Sequence, residues 1–182
     1  MRLPESYLSF SEIIVKYWRI YGGWRELLLS PILHAAIFLS VLSFPFWETE
    51  WSSSALNIIS NLLGFTLGGY AILLALGDQK FIWMLAGDDD SGDSPYIGVN
   101  AAFVHFLILQ IITLLIILVS KAWLPKEICP WTIPWIFSAV GYTFFLYALL
   151  TTLAATFAIF RLSTWYNRFV EEEKKKNSCD TK

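Results

Sequence analysis

The chain has 182 residues, 56% of them hydrophobic and only 15% charged, with a net charge of −2 and a mean hydropathy of +0.55. Hydrophobicity at this level excludes an ordinary soluble domain and makes membrane lipid the first expected partner. The near-neutral charge gives no reason to expect direct nucleic-acid binding.

Residues 1–26 read as a cytoplasmic or interfacial lead-in. Tyr7, Phe10, Ile13, Ile14, Tyr17, Trp18 and Tyr21 fall mostly on one helical face, with Glu12, Lys16 and Arg19 on another. That pattern suits a helix lying in the headgroups, or one packed on the protein's own cytoplasmic side. Glu5, Glu12 and Glu26 interrupt the apolar positions, so no cleavable signal peptide is expected. Gly22-Gly23 lets the chain turn into the membrane.

Four apolar runs follow, near 27–46, 54–76, 99–120 and 135–160, and together they make residues 27–160 a transmembrane domain. Pro31 sits in the first turn of the first run, where a missing backbone N–H is tolerated. His34, one turn further in, reads as a packing residue. The second run has a distinctive edge. Asn57, Asn61, Gly64, Gly68, Ala71 and Ala75 recur at helical spacing, so its amides and small residues share one stripe. A helix pressed against another helix gathers small residues this way, and Gly64 and Gly68 form a GxxxG pair. The third run holds His105, Gln110 and Thr113, with the last two on one face. The fourth carries a second small-residue stripe: Ser138, Gly141, Ala148 and Thr152, with Ala155 beyond. Two such helices are natural partners for each other or for copies in an oligomer.

Between the second and third runs lies AGDDDSGDSPYIG. Its Asp88, Asp89 and Asp90 do not match calcium-loop spacing and read as a solvated acidic loop. The tail, 161–182, contains Arg168 and the i,i+3 pairs Glu171–Lys174, Glu172–Lys175 and Glu173–Lys176, which favour a charged helical extension. The loop and the tail, with Asp88, Asp89, Asp90, Arg168, Glu171 and Lys174, are candidate contacts for a soluble cytoplasmic protein.

Lys and Arg set the orientation. Eleven lie in the lead-in, the 77–98 loop and the tail, against two in the other loops, so both termini are expected inside. The nine Trp residues cluster at or near the ends of the runs, as in an aromatic belt at the headgroups. The expected class is all-α: a polytopic, four-helix inner-membrane protein.

The chemistry-bearing residues point away from catalysis. The central parts of the runs hold no Asp, Glu, Lys or Arg, which argues against proton-coupled transport and voltage sensing. No nucleophile elbow, HExxH, phosphate loop or CxxC is present, so no enzyme, cofactor or metal is expected. The two cysteines, Cys129 and Cys179, fall on opposite sides of the expected topology. What remains is an assembly component. Asn57, Asn61 and Gln110 either glue helices together or line a pore.

The layout, and the run LLGFTLGGYAILLAL at 62–76, resembles small four-span inner-membrane proteins of bacterial antiphage defence operons, the membrane subunit of the Kiwa system above all. The resemblance implies an oligomeric membrane sensor that recruits a cytoplasmic partner, with no catalytic residues. Small defence effectors that permeabilise the membrane are similar too. They imply the second reading, a pore that depolarises the cell. A small transporter or channel subunit is the third.

Overall fold

The computed structural model describes residues 5–75, 80–81, 94–125 and 127–180, and among these the regular structure is helical throughout. We number the helices α1 (Glu5–Tyr21), α2 (Gly23–Leu28), α3 (Pro31–Leu42), α4 (Ser52–Ala75), α5 (Pro95–Trp123) and α6 (Ile133–Asp180), with a 3-10 turn at Phe44–Glu48 between α3 and α4.

Three helices are long and apolar enough to cross a membrane: α4, α5 and α6. The run predicted as a first span at 27–46 is not one helix. Pro31 forces Ser30 into an extended conformation (φ −61°, ψ 121°), so α2 stops and α3 begins afresh at the proline. The resulting α3 has 12 residues, about 18 Å of helix against a hydrocarbon core of about 30 Å.

The other boundaries also have local causes. Ser94 caps α5 by accepting from the Ile97 N–H at 3.3 Å, and Pro95 takes the first helical position, where its missing donor costs nothing. At the far end Leu124 is extended because Pro125 follows it. No proline or glycine interrupts the chain after Gly141, and α6 runs unbroken for 48 residues through the last apolar run into the charged tail.

The helices pack as a bundle in which α4, α5 and α6 touch one another and α3 lies along α6. The end of α3 and the starts of α4 and α6 meet at one end of the bundle. There Trp47 stands edge-on to Trp135 at 5.1 Å, and the Trp51 indole donates to Ser138 Oγ at 2.9 Å. Trp51 is therefore a core residue, not part of a headgroup belt; Ala55, Ile59, Ile117, Tyr142 and Phe145 surround it in one apolar cluster. A second cluster, Val99, Phe103, Phe106, Ala155 and Ala158, holds the start of α5 against α6.

Candidate functional site

Helix α4 presents two different faces. Ala55, Ile59 and Thr66 are buried, and they turn this face toward α5 and α6. The stripe of Asn57, Asn61, Gly64, Gly68 and Ala71 lies on the other side and is exposed along its length. A Cβ placed on Gly64 or Gly68 would meet nothing within 4 Å. The chain's own helices thus leave the stripe uncovered, and the expectation that the α4 and α6 stripes meet within one chain does not describe this bundle. Ala75 ends α4, but its side chain lies outside the description, as do Asp88, Asp89 and Asp90.

Gln110 sits opposite the stripe. Its side chain is fully buried between α4 and α5, and Nε2 donates to Thr66 Oγ1 at 3.0 Å, while Oε1 has no partner among the described residues. Asn57, Asn61 and Gln110 therefore do not line a common path in one chain. Thr113, also fully buried, donates to the Phe144 carbonyl at 3.3 Å and ties α5 to α6.

The α6 stripe is used inside the chain. Ser138 and Ala148 are fully buried, Gly141 is buried and Thr152 is half-buried. The space that a side chain at 141 would take holds the Trp51 indole. A Cβ there would lie 3.0 Å from Cζ2 and 3.2 Å from Ile116 Cγ2. Glycine at 141 lets an aromatic wedge in; it does not bring two backbones together.

A junction that the sequence reading did not find links α1 to the bundle. His105 is 6% exposed. The Tyr17 hydroxyl lies 2.8 Å from its Nδ1 and the Tyr147 hydroxyl 3.4 Å from its Nε2, while Tyr21 stacks on the ring at 3.9 Å. A neutral imidazole offers one donor and one acceptor, so it can satisfy both phenols at once. Burial, and then the nearby Tyr147, pushes the Tyr17 hydroxyl up to about 12, and burial raises Tyr21 as well. The i,i+4 spacing of Tyr17 and Tyr21 puts both rings on one face of α1, but it does not name His105 as their partner. Of the two expectations for α1, the packed one describes the aromatic face. Ile13, Ile14 and Val15 remain exposed on its flanks.

The tail is helical, with Arg168, Glu171 and Lys174 exposed on it. Lys80 reaches Glu173 at 3.0 Å, and Phe81 is buried edge-on to Tyr166 at 5.1 Å and beside Phe169 at 5.6 Å. Glu171 accepts from Asn167 at 2.9 Å. Among the described residues Glu173 thus pairs with Lys80 and Glu171 accepts from Asn167, in place of the Glu171–Lys174 and Glu173–Lys176 pairs expected from spacing. Among the described residues no three His, Cys, Asp or Glu side chains gather as a metal site. No family model, curated protein or solved structure matches the chain.

Proposed function

We propose that the chain is an oligomeric inner-membrane sensor or scaffold subunit that couples an event in the membrane to a soluble cytoplasmic partner. One observation carries this reading: the amide and glycine stripe of α4 is open to the surroundings while the opposite face does the internal packing. An amide left in hydrocarbon without a hydrogen bond costs a few kcal/mol. A second copy removes that cost, because an asparagine side chain both donates and accepts and so complements itself across a two-fold axis. Gly64 and Gly68 would let the two backbones approach.

In this reading α2, α3 and the 3-10 turn together form a first crossing. The chain then passes four times through the inner membrane with both termini inside, as the eleven-to-two bias in Lys and Arg favours. The helical tail and the acidic loop form the platform for the partner. The link to antiphage defence rests on the resemblance of 62–76 and of the span layout.

Gly68→Leu tests the reading. The purified variant is expected to migrate as a monomer on native gels where the parent chain forms a discrete oligomer; an unchanged oligomer overturns the proposal. A cytoplasmic protein should co-purify with the full chain and be lost when 168–182 is deleted. The exposure of Asn57 and Asn61, one turn apart on one face, also favours a second reading, a pore ringed by amides. In that case expression depolarises cells, and Asn57→Leu or Asn61→Leu abolishes the effect.

A further inference from the structure

Among the described residues, α1 meets the bundle through its last turn. Tyr17, Trp18 and Tyr21 are half-buried there, with Tyr17 and Tyr21 against His105, whereas every residue from Ser11 to Lys16 is exposed. This arm has two unlike sides. Ile13 and Ile14, one turn before Tyr17 on its side of the helix, are 63% and 45% exposed, while Glu12, Lys16 and Arg19 occupy the opposite side. The exposed apolar surface continues past the Gly22–Gly23 turn. Trp24, Leu28 and Leu29 are each more than half exposed, and Ile37 and Phe38 of α3 follow.

The contact with His105 fixes the height of the arm. His105 lies six residues into the apolar run 99–120 of α5, a helix long and apolar enough to cross a membrane. Tyr17 and Tyr21 therefore meet α5 about 9 Å inside the end of that run. Amphipathic helices settle with the apolar face about 5–10 Å into the boundary between headgroups and acyl chains, which is the level this contact sets. We infer that α1 is a lipid-binding arm: Ile13 and Ile14 enter the acyl chains of the inner leaflet, and Lys16 and Arg19 hold phospholipid phosphates above them. An exposed apolar surface of this kind marks an interaction site, and at this depth the surroundings are lipid. Between 11 and 21 the polar side carries two cations and one carboxylate, the balance that a phosphate surface favours. Six exposed residues cannot hold a helix on a bilayer alone, because short helices are marginal without packing. The hold of Tyr17 and Tyr21 on His105 supplies the rest. The inference deepens the sensor reading, on which it rests for the inner-side placement of α1. It names the packing of lipid against this arm as the membrane event that the bundle receives at His105.

Nitroxide labels read where the arm lies. In a full chain carrying Cys129→Ser and Cys179→Ser, single labels are attached through Ile13→Cys, Ile14→Cys, Glu12→Cys or Lys16→Cys, with Tyr17 and Tyr21 left intact. The chain is reconstituted in nanodiscs of phosphatidylethanolamine and phosphatidylglycerol. Collisions of each label with oxygen, which concentrates in lipid, are compared with collisions with a water-soluble nickel chelate. The oxygen-to-nickel ratio is expected to be at least fivefold higher at 13 and 14 than at 12 and 16. Equal ratios at the four positions overturn the inference. Few collisions with either reagent at 13 and 14 mark a protein neighbour, such as a second copy, and overturn it as well. Two labels stand on each side, so a single variant that does not fold leaves the comparison intact. The assembly reading is judged separately by the oligomer of Gly68→Leu, in which the ratio at 13 and 14 is expected to be unchanged.

Discussion

Gln110 shows why a buried amide in a bundle is a poor measure of stability. It makes one hydrogen bond, to Thr66, and leaves its oxygen without a partner among the described residues. Thr66 itself already donates to the Leu62 carbonyl at 2.8 Å, so it loses little when the amide goes. Gln110→Met, which keeps the volume and removes the orphaned acceptor, should therefore stay within about 1 kcal/mol of the parent. Gln110→Ala should cost about 2 kcal/mol or more through the cavity it opens. Reversible unfolding in mixed micelles measures both. Gly141→Ala is a contrasting case. It adds a methyl where the Trp51 indole already sits and should cost about 1–3 kcal/mol, read in the same assay. The Tyr17 hydroxyl makes a prediction in pH. Its docked pKa, about 12, lies above the ordinary 10, so docking favours the neutral phenol. The contribution is fully present below pH 10 and is lost as pH rises from 10 toward 12. Tyrosinate absorbance should show a late-ionising step that shrinks in Tyr17→Phe.

Helix α1 hangs from the bundle by its aromatic face and turns at two glycines. Gly22 and Gly23 have φ of 98° and 66°, a left-handed conformation that other residues rarely adopt. A Cβ on Gly22 would also run into Glu26. Gly22→Val is therefore expected to displace α1, and His105→Phe to weaken its hold by removing both ring nitrogens from the phenols. Both should show as lost amide protection of 9–21 in hydrogen exchange, with the bundle's own protection kept. The glycine turn was legible in the sequence because its chemistry is local. The partnership of Tyr17 with His105 was not, since 88 positions separate them and neither run is unusual alone. The break at Ser30–Pro31 was missed for another reason. The apolar run continues across it, and hydrophobicity does not register a lost helical turn.

For the whole molecule, the long apolar runs and the helical class could be read directly, because a bilayer demands length and apolar character and the chain supplies both. Which face of α4 turns inward could not. In lipid, Leu and Phe suit acyl chains and protein neighbours alike, so the apolar side of a spanning helix does not announce its partner. Here Ile59 and Thr66 face inward while Phe65 and Leu67 face out. The glycines and amides that invited an inward assignment lie among the outward-facing residues. The same ambiguity spared α6, where Gly141 and Ser138 found Trp51.

One consequence follows from the unbroken course of α6. Its 48 residues make a rod of about 72 Å that starts beside Trp51 and ends in the charged tail. A rod without a joint carries rotation from end to end. Tilting it by about 5° at the Ser138 end would swing the distal tip by about 6 Å at that length. Small rearrangements around one indole would thus reach the far side as a lever stroke, with no need for any side chain in between to relay them.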